Sequence, residues 1–331
     1  MQWRRLIVLG EILAVAVVVG GIGLATKSVT EAMRERRTPP GWSIIRPPRD
    51  VCTLAVDGNQ IWAGGKDGIT LIDRRTRRVL TAPRDAASLR YVMALLRTRD
   101  DLMWIAHAAG ITRARSDSWI QHDTAGGAPL RGCRCLLEDA AGTLWSGTED
   151  GLFRFDGAGW QSVRVPPLAD GLSIDTMLED RDRTLWIGSA SPVNGGLFRF
   201  ATGTWHAFPD RAQLPHPAVN AIAQDLDGTI WIGTGYLNQG AAAWYDGCVW
   251  RALRAADGLA GQKVRSIYID PQRRILFGFE YDGMTVCENG AFRHYDAGDG
   301  LAGKEVRAVV QDQDGVYWLA TNNGINRIEK L

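Results

Sequence analysis

Between Thr143 and Trp160 the chain reads TLWSGTEDGLFRFDGAGW, two short apolar runs (LWSGT and LFRF) separated by Glu, Asp and Gly. Alternation with a period of two puts successive side chains on opposite faces of an extended segment, and aromatic and branched residues suit a half-buried strand. The phrase returns as TLWIGSASPVNGGLFRFATGTW from Thr184 and as TIWIGTGYLNQGAAAWYDGCVW from Thr229. Each copy is preceded by an apolar run ending in an acidic turn: CRCLLEDAAG, IDTMLEDRDR and VNAIAQDLDG. Asp and Gly tolerate the positive φ that tight hairpins require, so these are turn signals between strands. A further strand opens at the closing tryptophan, in WQSVRV, WHAFPD and WRALRA. The pattern predicts units of four antiparallel strands.

The period decides how the units assemble. The first aromatic of the phrase falls at Trp62, Trp104, Trp145, Trp186, Trp231, Phe277 and Trp318, with gaps of 42, 41, 41, 45, 46 and 41 residues. Four-stranded units at that spacing are the signature of a β-propeller, whose blades stack radially around a channel, whereas leucine-rich repeats need about 20–29 residues per unit. Seven markers predict an all-β, seven-bladed propeller over residues 41–331. From the phrase aromatic to the aromatic of the fourth strand is 15 residues in the third blade (Trp145 to Trp160) and in the sixth (Phe277 to Phe292). The same count from Trp318 runs past Leu331, so the seventh blade lacks an outer strand of its own. GWSIIRPP, from Gly41 to Pro48, has the composition of that missing strand, with Trp42 in the marker position. It is expected to complete the seventh blade, close the ring and remove an exposed edge.

Composition modifies this picture at the N-terminus. Residues 6–25, LIVLGEILAVAVVVGGIGLA, form an apolar segment interrupted by Glu11 alone. A helix of that length spans about 30 Å, enough to cross a bilayer. Residues 1–27 therefore read as a transmembrane anchor preceding the propeller; the alternative is a signal peptide cleaved after Ala25. Residues 28–40 read as a polar linker stopped by Pro39 and Pro40. Basic residues lie on both sides of the apolar segment, and long domains are exported largely regardless of such charges. The expectation is an anchored propeller outside the cytoplasm, in the periplasm or at the cell surface, or a secreted one if the segment is removed.

A net charge of +1 gives no electrostatic support for a nucleic-acid partner. The five cysteines contain no CxxC pair, which argues against zinc and thioredoxin-like chemistry. Cys52, Cys133 and Cys135 read as small apolar residues of inner strands; Cys248 and Cys287 are the one pair considered for a disulfide. Asp225-Leu226-Asp227-Gly228 and Asp312-Gln313-Asp314-Gly315 faintly resemble a calcium loop but lack its later ligands and terminal Glu, so they read as hairpin turns. No cofactor or metal is implied.

The pattern V-x-x-I-x-x-D-x-x-G-x-L-W-I-G-T-x-x-G-L-x-R followed by Trp is clearest in VNAIAQDLDGTIWIGTG, from Val219 to Gly235, and in Arg134 to Phe155. It resembles the two-component regulator propeller repeat. The resemblance covers nearly all of the chain after Gly41, with the first and sixth blades degenerate. It implies an extracytoplasmic sensor module of the kind attached to kinases, often for carbohydrates. No kinase, receiver or DNA-binding region follows the last blade here, so a standalone, sensor-like propeller is expected.

The invariant phrase builds walls and turns, and recognition belongs where the copies differ. Aligned on Val51, Val92, Cys133, Ile174, Val219, Val264 and Val306, the second position of each inner strand holds Cys52, Met93, Arg134, Asp175, Asn220, Arg265 and Arg307. The next position is small almost throughout. Polar side chains at the start of inner strands are expected at the channel mouth, on the face that also carries the variable loops between strands two and three. Three arginines against one aspartate would leave positive charge for a carboxylate, a sugar or the acidic loop of a partner. The loops add His107, Glu149, Asn238 and Tyr281 as candidate ligand-binding residues. The alternative is an Arg–Asp network that seals the channel.

Three functions follow. The first is a non-enzymatic module that captures an unknown small molecule, a carbohydrate or a carboxylate, or a protein at the mouth of a monomeric propeller. The second is a lyase-type enzyme resembling streptogramin lyases, for which His107 is the loop histidine and Glu149 its acidic neighbour. The third is an assembly factor or scaffold for a membrane complex.

Overall fold

The computed structural model describes residues 38–115, 118–166, 171–208 and 213–331. The proposed anchor or signal segment, 1–27, and most of the linker lie outside the described residues. Among the described residues no helix is long and apolar enough to cross a membrane. The described residues form seven sheets arranged as a seven-bladed propeller, antiparallel except where Ala125 meets Trp160 in the third blade. Blades three to six have inner strands beginning at Cys135, Thr176, Val219 and Val264, and outer strands Trp160–Val163, Thr204–Ala207, Trp250–Leu253 and Ala291–Tyr295.

The ring closes as the sequence predicts. Strand Trp42–Ile45 pairs antiparallel with Gly324–Ile328, placing Trp42 opposite Ile328. The Trp42 indole is buried, its ring centroid lies 5.1 Å from that of Tyr295, and its Nε1 donates to the Lys330 carbonyl at 3.2 Å. The last blade is thus built from both ends of the propeller, and the edge of Gly324–Ile328 is covered.

Two blades depart from four full strands. Blade one ends in a two-residue outer strand, Val79–Leu80. Blade three has six strands, because a ribbon of Thr124–Ala125 and Ala128–Pro129 adds outside Trp160–Val163. Gly126 and Gly127, at φ 56° and 85°, supply the two left-handed residues this ribbon's turn needs.

The repeated glycine after the marker aromatic explains how blades stack. A Cβ on Gly188 would lie 2.7 Å from the Val219 side chain of the next blade; on Gly233 it would lie 2.6 Å from Val264. Gly147 and Gly278 are similarly closed by Ile174 and Val306. In five of the seven blades the first residue of the next inner strand therefore seats on this glycine, from Gly64 against Val92 to Gly278 against Val306; in blades two and seven the position is Ala106 and Ala320. Val51, Val92, Cys133, Ile174, Val219, Val264 and Val306 are all essentially inaccessible.

The acidic turns are structural. Asp312 accepts from Trp318 Nε1 at 3.0 Å and from the Val316 and Asp314 amides. Asp180 does the same for Trp186 at 2.7 Å, and Asp139 for Trp145 at 2.9 Å. All five cysteines are free thiols, so Cys248 and Cys287 do not pair in this structure. Burial pushes the Cys133 thiol up to about 12 and that of Cys135 higher still, which makes both inert packing residues.

Candidate functional site

The second position of the inner strands points into the channel mouth for a backbone reason. In blades one, five, six and seven the register between the first two strands slips there, skipping Cys52, Asn220, Arg265 and Arg307. A bulge residue is released from the ladder and its side chain is re-aimed. In blades two, three and four the regular strand begins only after Met93, Arg134 and Asp175. All seven second-position residues consequently line one cavity of about 450 Å³, together with Asp50, Lys66, Tyr91 and Ala190.

Of the residues expected at the site, Arg134, Asp175, Asn220, Arg265 and Arg307 are brought together. Glu149 joins them indirectly, accepting from Arg134 Nη2 at 2.8 Å. Asn238 and Tyr281 are exposed on the surrounding loops and do not line the cavity. Tyr281 donates to Glu280 Oε1 at 2.7 Å.

His107 is not at the mouth. It ends strand Met103–His107, is 2% exposed, and its Nε2 lies 2.9 Å from Thr112 Oγ1. Its Nδ1 accepts from the Ala109 amide at 3.3 Å. In other blades this turn contact belongs to a hydroxyl: Thr148 accepts from the Asp150 amide and Thr321 from the Asn323 amide. His107 is a turn-capping residue in the place of a threonine, and burial pulls its pKa down to about 4.

The charge balance at the mouth also differs from expectation. Arg265 lies 3.2 Å from Glu305 and 3.7 Å from Glu280, and Lys263 also pairs with Glu280. Arg307 Nη2 lies 2.7 Å from Glu305 and 3.9 Å from Asp50, while its Nη1 donates to Cys52 Sγ at 3.4 Å. Arg134 Nε lies 3.4 Å from Asp175, whose other oxygen accepts from Ser173 and from the Ala190 amide. The three arginines are therefore paired with five carboxylates rather than one. Burial opposes the charge on Arg307, but Glu305 and Cys52 outweigh it and raise its pKa. Burial likewise opposes ionisation of Glu280, and hydrogen bonds from Lys263 and Tyr281 with the Arg265 charge hold its carboxyl below the usual range.

Sequence alignment of the inner strands missed Glu280, Glu305 and Lys66. Glu280 and Lys66 sit in strand-two-to-three loops, and Glu305 immediately precedes an inner strand. The signal available was their position one residue outside aligned strands, the same place as Glu149.

The mouth is uneven. Blades three to seven contribute paired ionic groups and Asn220, whose Nδ2 donates to the Gly235 and Val264 carbonyls. Blades one and two contribute Cys52, Lys66, Tyr91 and Met93, with Asp50 just ahead of the first inner strand and 3.9 Å from Arg307. Lys66 is exposed, and no described carboxylate lies within 4.0 Å of it. Ionic and polar groups here can bind and orient a polar ligand. No histidine lines the cavity, and the described residues contain no cluster of His, Cys, Asp and Glu able to hold a metal ion.

Comparison with curated proteins gives no match. Among solved structures, the extracellular domain of the putative hybrid two component system BT3049 from B. thetaiotaomicron superposes with a TM-score of 0.76 at 18% identity. That match covers 88% of this chain and 41% of the other, and the chain spans less than half the length of the first such domains it matches. A catalytically inactive virginiamycin B lyase from Staphylococcus aureus, solved with quinupristin, gives 0.67 at 15% identity, covering 88% of this chain and 99% of that one. YCF48 bound to D1 peptide gives 0.64 at 14%, covering 88% and 98%. At these identities the likeness is one of fold. Residues 213–236 and 300–323 match the family model described as two component regulator propeller, and in its repeats the chain resembles that family.

Proposed function

We propose that the protein is a non-enzymatic binding module whose ligand enters the channel mouth, held outside the cytoplasm by its N-terminal segment. The observation that carries this reading is the convergence of all seven second-position side chains on one cavity. Their ion pairs hold the arginines in place before a ligand arrives, which lowers the ordering cost of binding. The ligand chemistry this suits is polar: a carboxylate or sugar that exchanges hydrogen bonds with Arg265, Arg307 and Arg134. The extracellular domains of B. thetaiotaomicron that share the fold support placement outside the cytoplasm. The lyase alternative loses its candidate base, because His107 is buried as a turn cap.

The test is a melting screen against uronic acids, neutral oligosaccharides and dicarboxylates, run on the wild type and on Arg265→Ala. A ligand at 100 times its Kd adds about 2.7 kcal/mol of stability. A compound that raises Tm in the wild type and fails to do so in the variant supports the mouth. Shifts of equal size in both proteins would place binding elsewhere.

A further inference from the structure

The N-terminal segment joins the propeller on the face opposite the mouth. Strand Trp42–Ile45 runs from Trp42, opposite Ile328, to Ile45, opposite Ile325. Beyond Ile45 the chain reaches Asp50, which lines the mouth cavity. The start of the strand is fixed at the far end, where the Glu329 amide donates to the Gly41 carbonyl at 3.0 Å and the Trp42 amide to that of Pro39 at 3.1 Å. A tether made of the preceding residues is therefore attached away from the mouth.

Beside the attachment point the same face carries a basic hairpin. The turn that follows strand Gly68–Asp73 completes the sequence DRRTRR, Asp73 to Arg78. Asp73 folds it: one carboxylate oxygen accepts from the Arg75 and Thr76 amides at 3.1 and 2.6 Å, and the other from Asn59 Nδ2 at 2.8 Å. An Asp that satisfies backbone donors two and three residues on holds a tight polar turn in one shape. Arg74 turns inward to Asp312 and Asp314 and is buried. Arg75, Arg77 and Arg78 are exposed, and no described carboxylate lies within 4.0 Å of any of them.

The hairpin and the attachment point meet at Glu329. Its carboxyl is held below its usual range, first by the hydrogen bond and charge of Arg327 and then by the charge of Arg77. Arg327 Nη1 lies 2.6 Å from it. Lys330, the next residue, is exposed and also has no described carboxylate within 4.0 Å. Four free cations against Asp73 and the surplus carboxylate at Arg74 leave this patch net positive. The linker that leads to it is basic in sequence as well, with Lys27, Arg34, Arg36 and Arg37 against Glu31 and Glu35.

We propose that the hairpin of Arg75, Arg77 and Arg78, with Lys330, rests on the anionic phospholipid headgroups of the membrane that holds the N-terminal segment, so that the channel mouth faces away from the bilayer. The proposal rests on that segment as the anchor and adds an orientation to it. A tether alone leaves the propeller free to turn over, and a second contact on the same face fixes which way the mouth looks. Each cation at an anionic surface multiplies the partition by about fivefold. The short linker keeps the hairpin close to the headgroups, so a contact too weak to hold a free protein suffices.

The test places a fluorophore at each end of the propeller. Val79, 47% exposed beside the hairpin, and Val193, 75% exposed in a mouth loop, are each changed to cysteine in a full chain that carries Cys248→Ser. The labelled proteins are reconstituted into nanodiscs of phosphatidylcholine, with or without phosphatidylglycerol, that contain a headgroup quencher. Quenching of the Val79 label should at least about double with phosphatidylglycerol, and high salt should reverse the gain. The Val193 label should be little quenched in either disc. Arg75→Gln, Arg77→Gln and Arg78→Gln together should remove the gain while leaving thermal melting unchanged. Equal quenching of the Val79 label in both discs would overturn the proposal, as would a gain that the triple variant retains or stronger quenching at Val193 than at Val79. A full chain recovered free of the discs would sink the anchor and this orientation together. A chain that stays in the discs without any response to phosphatidylglycerol would sink the orientation alone.

Discussion

The two faces of this propeller are built from the same strands and treat polar groups in opposite ways. On the face opposite the mouth, a side-chain tie crosses each of the seven seams. Arg97 reaches Asp57, Arg99 reaches the Asp139 carbonyl, and Glu179 and Gln224 accept the Ala140 and Arg181 amides. Arg273 meets Asp227, Tyr317 meets Asp270, and Arg74 meets Asp312. At the mouth the ties run through blades three to seven and reach Asp50 and Cys52 at the start of blade one, while Lys66, Tyr91 and Met93 line a more open arc over blades one and two. A belt closed at every seam resists opening. A ring paired on one side and open on the other keeps charge available for something that arrives.

The largest effect expected from breaking this contrast is at the closing strand. Deleting residues 41–45 removes the Trp42 contact and exposes the edge of Gly324–Ile328. Even Trp42→Ala alone should cost about 3–5 kcal/mol, the range for large aromatics removed from a core. Thermal melting with light scattering would register a lower Tm and aggregation for the deletion. An unchanged Tm would show that the ring does not need this strand.

Next is the closed belt itself. Arg74 is 4% exposed and lies 3.2 Å from Asp312 and 2.5 Å from Asp314. Asp312→Ala leaves that guanidinium with a single exposed partner and strips the Trp318 indole of its acceptor, so a loss of about 3–5 kcal/mol is expected from denaturant unfolding. The carboxyl also sets an acid limit. Burial opposes its ionisation, but donation from Trp318, Val316 and Arg74 together lowers its pKa below the ordinary 3.8. Its contribution is fully present above that unfolded value and is lost as pH falls through the lower, folded one. Wild-type stability should therefore drop more steeply below pH 3.8 than that of Asp312→Ala, where the effect is absent.

The architecture was legible in the sequence because packing imposes it. The marker aromatic, the Gly or Ala two residues later and the small or branched residue that opens the next blade recur around the ring, as with Trp186, Gly188 and Val219. The convergence of the second-position side chains on one cavity was legible too, since the bulge that frees Arg265 and Arg307 falls at a fixed register. The cavity's electrostatics were not. Glu280 and Glu305 belong to connections outside the repeat, where length and sequence vary, so counting charges on inner strands alone gave an excess of arginine that the folded mouth does not have. His107 was misplaced for a related reason. Its exchange for the usual hydroxyl of the turn made a capping residue look like functional variation.

That exchange gives a smaller, pH-dependent test between the two regions. The folded His107 pKa is about 4 against an ordinary 6.5, so the unfolded chain binds the proton first. Its stabilising effect is complete above pH 6.5 and is lost progressively as pH falls toward 4. His107→Thr, which keeps a side-chain acceptor for the Ala109 amide, should flatten the fall in Tm over that window. A parallel fall in both proteins would assign the acid sensitivity to other groups.

The smallest stability effect is expected at Arg265, and it separates recognition from sealing. Its side chain is 35% exposed, and both carboxylates it meets have another cation beside them. Glu280 keeps Lys263, and Glu305 keeps Arg307 at 2.7 Å. Arg265→Ala therefore strands no buried charge, and the loss from such partly exposed pairs should stay below about 1 kcal/mol. For a ligand held by this guanidinium the change removes a charged hydrogen bond, ordinarily about 1.5–3 kcal/mol, which corresponds to at least a tenfold loss of affinity. Measured together on one protein preparation, a Tm within a few degrees of wild type and a weakened ligand would assign Arg265 to recognition. A large fall in Tm with unchanged binding would assign it to holding the channel closed, because the redundancy of Lys263 and Arg307 would then have failed to protect the fold.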